Sequence, residues 1–552
     1  HLPRTSPVDV EHYALKLALD PRARTIAGEC RIRFHPRHDL VQVLELDLDT
    51  LDVAGVSDEE GRSLSFERRP GVVAIDFGAP LEAGTSHEVV VRYGGVPRRG
   101  LWFAGARDGV PTHAFTQGQC DDSRGWFPCI DEPAERATSE LEVSLPRGWI
   151  SVAAGEKVES RARADGGTVD LWRMNVPHPA YLTTLVAGEL VEVRSRWNGV
   201  PLALVAEPAL DEHLEASFEP TAEILQFFED LTGARYPYAK YSQAVVANFP
   251  HGGMENISAT TLTDACVGDE RGRRDYDPTG LIAHEAAHQW FGNILRPGID
   301  PGGNILSEGM AHYSSARLIR QIRGERMRMA FMRNLEFQYG IQRSADDELP
   351  MTETDGSRSG DQTVTYDKGG WVFWMLMEHM GEERMDAAMR DFIGAFKDGP
   401  DHPLLQDLVE ALRPHAPDAA AYDAFTKQWF YDVVVPEFKV ESATVTAPAK
   451  DGDPWQTVIT VRNANTATVP LEVAVTNGEE RWPDASICRT PKERAAAATQ
   501  RPEYRDARAR GTISAGETIE LTIESDFKPT KAVVDPDVRT LMLNRKLAER
   551  DL

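Results

Sequence analysis

Cysteine is scarce in this 552-residue chain: five, an odd number, at Cys30, Cys120, Cys129, Cys266 and Cys488, with no C-x-x-C pair among them. That excludes a disulfide framework and a thiolate zinc site and predicts mostly buried thiols, with Cys120 and Cys129 the one pair whose joining is conceivable. Positive charge is also short. Against 87 acidic residues stand 60 Lys and Arg, a net charge of −27. No basic stripe is present to displace counterions from phosphates, so nucleic acid is excluded as a partner. No apolar run reaches the roughly eighteen residues of a transmembrane helix, and the first thirty positions have no signal-type apolar core. The chain opens on His1. Compartment is therefore not legible: residence in the cytoplasm and export after processing both fit. Internal repeats and low-complexity tracts are missing as well.

What is present is enough chain for about three domains. Apolar residues alternate at Tyr13, Leu15, Leu17 and Leu19, at Cys30, Ile32 and Phe34, and at Leu141, Val143 and Leu145. This period of two is that of strands, and no convincing helix appears before about residue 209, so residues 1–207 are expected to form a β-sheet domain. Helical period then takes over, with Ile224, Leu225, Phe227, Phe228 and Leu231 on one side of a helix. Residues 208–436 are expected to be a mixed α/β domain. From Phe438 strand alternation returns, ending at Ile519, Leu521 and Ile523, and residues 437–552 are expected to be a small β-sandwich. The polar stretch 478–511 reads as a long excursion with some helix and no legible function.

Chemistry concentrates between residues 284 and 308. His284-Glu285-Ala286-Ala287-His288 places two imidazoles four apart on one helix face, with Glu285 beside them. Zinc held by two His and a carboxylate keeps a fourth position for water, whose pKa falls towards neutral, and a neighbouring carboxylate can take its proton. Glu285 is the candidate base. Asp277 is expected as N-cap with Pro278 at the first helical position, and Gly292-Asn293 as the close of the helix. A further acidic residue, Glu308, lies on a helical segment expected over 304–322.

Three other stretches stand out, each with an ordinary explanation. Residues 115–133, containing Gln117-Gly118-Gln119, Arg124 and Phe127-Pro128-Cys129-Ile130-Asp131-Glu132-Pro133, read as a polar loop in a β-domain. His251-Gly252-Gly253-Met254-Glu255-Asn256 reads as a glycine turn, though paired glycines admit close backbone approach and the carboxylate can meet a cation. Tyr366-Asp367-Lys368-Gly369 opens a buried apolar helix, where a tyrosine is most often a core residue with a satisfied hydroxyl.

In this order, the four motifs resemble the aminopeptidase N family of zinc metallopeptidases, the gluzincin group that also contains leukotriene hydrolase. The resemblance spans about residues 10–440 and reaches the terminal β-domain only by its place. It implies a multidomain α+β architecture: a saddle-like N-terminal β-sheet domain, a thermolysin-like catalytic domain and a C-terminal β-sandwich. It also implies one Zn²⁺ per chain held by His284, His288 and Glu308, with Glu285 as general base. Glu255, helped by Gln119, would bind the free α-ammonium of a peptide substrate; the backbone at Gly252, Gly253 and Met254 would align it; and Tyr366 would donate to the tetrahedral oxyanion. The implied reaction is hydrolysis of the N-terminal peptide bond.

Three departures accompany the likeness. Nineteen residues lie between His288 and Glu308, one more than is usual; the extra residue is expected in the Pro- and Gly-rich 296–303 loop, with Asp300 as the alternative ligand. Ile305-Leu306-Ser307-Glu308-Gly309-Met310 replaces the usual Trp-Leu-Asn-Glu-Gly-Phe. The chain also stops before the helical domain that caps many relatives, from which a more open cleft is expected. Two competing readings stay open: a catalytically silent binding or scaffold protein of this fold, and an endopeptidase resembling thermolysin, against which Glu255 speaks because an amine anchor has no use in internal cleavage. Preferred first residue and oligomeric state are not legible.

Overall fold

A computed structural model describes residues 6–298, 300–397, 402–478, 480–483 and 491–552. They gather into two compact units, His1–Leu225 with Arg235–Gln289, and Gln226–Ala234 with Trp290–Leu552.

The first unit is built mainly of strands. Its largest sheet has seven, in the order Glu156–Ala162, Thr168–His178, Ala137–Leu145, Val8–Asp20, Thr25–Pro36, His87–Gly95 and Asp52–Asp58. Val8–Asp20 shows how sequence period becomes a buried face: Val8, Val10, Tyr13, Leu15, Leu17 and Leu19 are buried and their neighbours mostly are not. The step from Val10 to Tyr13 breaks the period by one residue, and the pairing shifts register at that place, between Val10 and His12. A bulge restores the inward face. Tyr13 then accepts a hydrogen bond from the Ile130 N–H (3.0 Å) and meets Phe127 edge-on at 5.7 Å, drawing the 115–133 segment onto the core.

A five-stranded sheet in the same unit carries the second half of its chain, in the order Val191–Trp197, Val200–Ala206, Tyr241–Val246, Ala259–Thr263 and Gly253–Met254. The two-residue strand Gly253–Met254 is the outer one, paired antiparallel to Leu262 and Thr261. Beside it runs the helix Thr279–Ala287.

Helices dominate the first part of the second unit: Glu308–Gln342, Gly369–Met380, Glu382–Phe396, Leu405–Leu412 and Ala419–Thr426. The longest is kinked at Gly324, whose φ of 79° and ψ of 174° lie outside helical values. Seven strands follow in two antiparallel sheets, Phe438–Thr446, Trp455–Asn463 and Thr518–Ser525 in one, and Arg505–Ile513, Val469–Asn477, Lys531–Val534 and Glu549–Asp551 in the other. Part of the 478–511 excursion is a short helix, Pro491–Ala497. Cys30, Cys129 and Cys266 are buried free thiols, so the conceivable Cys120–Cys129 pair is not formed; Cys120 is exposed. Cys488 lies outside the described residues. Among the described residues no helix is long and apolar enough to cross a membrane.

Candidate metal centre

In the first unit the His284 helix is shorter than its sequence suggests. Its first helical residue is Thr279, with Pro278 at the cap; Asp277 still serves the start, its Oδ1 accepting from the Thr279 N–H at 2.9 Å and from the Thr279 hydroxyl. The helix ends at Ala287 and not at Gly292-Asn293. The reason is a tightened last turn, Gln289 N–H reaching back only three residues to the Ala286 carbonyl at 3.1 Å. His288 caps the helix with dihedrals that are still helical, φ −61° and ψ −21°, and residues 288–290 form a turn.

The two Nε2 atoms of His284 and His288 stand 3.1 Å apart, with the rings nearly perpendicular at 88°. Two nitrogens bound to one tetrahedral zinc at the usual bond length would be about 3.3 Å apart. The pair thus fits two corners of such a site. Glu255, Glu285 and His288 each offer a ligand atom within 4.8 Å of one another, and all three are buried. Two carboxylates and an imidazole held that close favour cations among them, since like charges in a buried place repel.

Glycine makes this approach possible. A Cβ on Gly253 would lie 2.4 Å from Oε1 and 2.5 Å from Cδ of Glu285, closer than any real contact. The segment that follows the strand Gly253–Met254 and carries Glu255 is also fastened to the histidine segment by Gln289, which donates to the Glu255 carbonyl (3.1 Å) and accepts from the Ser258 N–H (2.9 Å). Gln289 belongs to no spaced motif of its own, and its position directly after His288 is the one mark of it in the sequence. Gly252 accepts from the Thr263 N–H at 2.9 Å, Met254 is buried, and the Asn256 amide donates to the Thr261 hydroxyl. Cys266, nearby in sequence to this sheet, donates its thiol to the Thr263 carbonyl at 2.9 Å, and burial, with the charge of Glu285, pushes that thiol up to about 12.

The 115–133 segment is more constrained than a polar loop. Arg124 donates from its backbone N–H and its Nε to Asp131 Oδ2, and the Asp131 N–H donates to Asp47. Burial raises Asp131 to about 6 against the pull of Arg124. Gln119 sits partly exposed in the turn that follows the strand His113–Thr116.

The second unit holds Glu308 and Tyr366. The segment expected as a helix over 304–322 divides into a 3₁₀ turn, Gly303–Leu306, and the long helix that begins at Glu308 itself. Ile305 and Leu306 are fully buried, and the Ser307 hydroxyl donates to the Phe291 carbonyl at 3.0 Å. Glu308 is buried too, whereas Asp300 is exposed. Tyr366 lies in a π-helical turn, Val364–Lys368, preceding the apolar helix Gly369–Met380, and is partly exposed in an otherwise buried run. Its ring meets His312 at 5.6 Å and 74°. Next to it Asp367 accepts from the Thr363 hydroxyl (2.6 Å), and burial raises its carboxyl to about 7.

Two family models cover this chain in sequence: the peptidase M1 N-terminal domain over residues 9–182 and the peptidase family M1 domain over residues 216–429. The chain belongs to the M1 peptidase family. Within it, the chain is 26% identical over 337 residues to leukotriene A-4 hydrolase of Xenopus laevis, covering 58% of this chain and 53% of that one. It is 27% identical over 320 residues to aminopeptidase N of Streptomyces lividans, covering 54% and 36%. The chain thus spans about half the length of the first relative and about a third of the second. In fold it resembles the crystal structure of an M1 zinc metallopeptidase from Deinococcus radiodurans, with a TM-score of 0.64 at 20% identity, over 79% of this chain and 96% of that one. The His284 helix, the Gly252–Asn256 stretch, Glu308 and Tyr366 all fall inside the M1 domain match, and Gln119 inside the N-terminal one.

Proposed function

We propose that this M1-family chain is a zinc-dependent aminopeptidase that hydrolyses the N-terminal bond of peptides with a free amine. The observation that carries the reading is the cluster of the first unit: two imidazole nitrogens spaced for one ion, with Glu285 and Glu255 gathered at the second of them. His284 and His288 would hold the metal, and Glu308 is assigned as third ligand. In its favour, a carboxylate buried at a helix start is stabilised by a cation, and the alternative, Asp300, lies in solvent. Bound there, zinc would supply a Lewis acid and a water acidified towards neutral pH.

Glu285 accepts a proton from the attacking water and returns it to the departing nitrogen. Glu255, with Gln119, holds the substrate ammonium, which restricts cleavage to the first peptide bond. The outer strand Gly253–Met254 offers its free edge to the peptide backbone, in the manner of an added strand. Tyr366 donates its hydroxyl to the oxyanion, a contact worth on the order of a hundredfold in rate.

Hydrolysis of a panel of aminoacyl chromogenic amides tests this, alongside Glu285→Gln and a chelator-treated sample with metal content determined. The expected result is turnover of free-amine substrates by the native protein alone, with N-acetylated versions inert and Glu285→Gln holding one metal per chain. Comparable hydrolysis of the N-acetylated substrates would make the protein an endopeptidase. One equivalent of zinc without cleavage would make it a binding protein of this fold.

A further inference from the structure

Two residues after Tyr366, the side chain of Lys368 runs inwards and is wholly buried. Its Nζ donates to Glu348 Oε1 at 2.6 Å, and the Glu348 side chain is itself only 1% exposed. That carboxylate is saturated from two other directions: Tyr339 donates its hydroxyl to both oxygens at 3.0 Å, and Arg343 donates Nε to Oε2 at 2.8 Å. The ammonium and the guanidinium both lie over the Tyr339 ring, at 5.7 and 5.3 Å. Tyr339 stands near the end of the Glu308–Gln342 stretch, in the helical segment that follows the break at Gly324. At that beginning, Gly309 and Gly369 pack backbone to backbone; a Cβ on Gly369 would come within 3.1 Å of the Gly309 Cα.

The turn that bears Tyr366 is thus fixed twice to the Glu308–Gln342 stretch, to its first helical segment through paired glycines and to its second, beyond Gly324, through a buried ionic knot. Both anchors hold the C-terminal end of the turn, and a Cβ on Gly309 would also come within 3.2 Å of the Thr365 carbonyl, just before Tyr366. The turn itself adopts π geometry, the Gly369 N–H reaching the Val364 carbonyl five residues back. A π turn has looser hydrogen bonding than an α turn and persists where surroundings over-determine it. We infer that Glu348 and Lys368 are positioning residues for Tyr366: their buried ion pair, held by Tyr339 and Arg343, locks the π turn so that the Tyr366 hydroxyl is presented in one place. Lys368 acts through the turn and not on substrate, since its ammonium is enclosed and committed to Glu348. The proposal rests on the role given to Tyr366 above. It adds what fixes that role in space.

The test is a double-mutant cycle on the metal-loaded full chain, with kcat and KM measured on an aminoacyl amide. Lys368→Met and Glu348→Gln are each made in the native background and in Tyr366→Phe, and Tyr339→Phe serves as a mild variant that removes one hydroxyl. A displaced catalytic group commonly costs up to about a hundredfold in rate, so each single change is expected to lower kcat at least about tenfold with KM shifted less than about threefold. Tyr339→Phe is expected to lower kcat a few-fold. In the Tyr366→Phe background none of them should lower kcat further. A merely structural role predicts instead that the losses multiply in both backgrounds, and that result, or native kcat in Tyr339→Phe and Glu348→Gln, overturns the clamp. Undiminished kcat in Tyr366→Phe itself overturns the role of Tyr366 and the clamp together, which distinguishes the two failures. If Lys368→Met does not fold, Glu348→Gln and Tyr339→Phe carry the cycle alone.

Discussion

At Gly253 a hydrogen occupies the space into which any other side chain would drive a carbon against the Glu285 carboxylate. Gly253→Ala is expected to displace Glu285 and lower kcat by roughly a hundredfold, the scale of an ångström's misplacement, while metal content stays at the native level because both imidazoles are untouched. Gly252→Ala is the control: its Cβ would meet only a Leu281 methyl at 3.1 Å, which can yield, and activity should change little. A second residue tests the electrostatics of the same unit. Lys240 is buried with its ammonium on the Ser258 carbonyl (3.0 Å), and burial, reinforced by the charge of Lys157, lowers it to about 7. Its unfolded value is near 10.4, so between about pH 7 and 10 the unfolded chain binds the extra proton and stability rises with pH; below about 7 the full cost of burying the charge is borne. Lys240→Met should therefore raise the denaturant midpoint most at pH 7 and below, with the gain shrinking towards pH 10. The Ser258 carbonyl keeps the Ser242 N–H as donor, so no acceptor is orphaned.

Among elements, the contact between the Glu308 helix and the Gly369–Met380 helix is set by glycine. On Gly370 a Cβ would stand 2.7 Å from the His312 Cβ, and neither atom can rotate away. Alanine gains about 1 kcal/mol of helix propensity there, and overpacking costs about 1–3 kcal/mol. Gly370→Ala is expected to be a net loss, read as a lower denaturant midpoint with kcat reduced through the shifted His312–Tyr366 contact. Much at this scale was legible in the sequence. Strand alternation and helical period named the principal elements, and Asp277 marked the start of the histidine helix. Ends were less legible, because they depend on partners elsewhere: the histidine helix stops where Gln289 is claimed by Glu255 and Ser258, and the π turn at Val364–Lys368 has no signature of its own.

For the molecule, the second unit joins helices and terminal strands through buried charge. Arg545 donates to both Glu336 oxygens at 2.7 Å and pairs with Asp535, while the fully buried Arg328 donates to the carbonyls of Asp537 and Val538. Glu336 and Arg328 belong to the second helical segment of the Glu308–Gln342 stretch, beyond Gly324. Arg545→Met would strand a buried carboxylate, at a cost of about 3–5 kcal/mol, and is expected to lower the unfolding midpoint of this unit and with it activity at assay temperature. Removing residues 437–552 should leave the helical part insoluble, as measured by the soluble yield of a chain ending at Pro436; a folded, soluble product would show that the strands are dispensable.

The sequence by itself determined the chemistry on offer: which residue types recur at which spacing on which kind of element. His284 and His288 one helical turn apart, Glu285 between them and four motifs in order are properties of the linear chain, because helix geometry converts spacing into direction. Tertiary structure alone decided what stands beside those residues. Gln289 clamping the Glu255 segment, the hydrogen of Gly253 under Glu285, and Glu348 reaching Lys368 across twenty positions depend on which buried polar groups find partners when the chain closes. That pairing is settled by packing and desolvation over the whole fold, for which local sequence carries no period and no spacing.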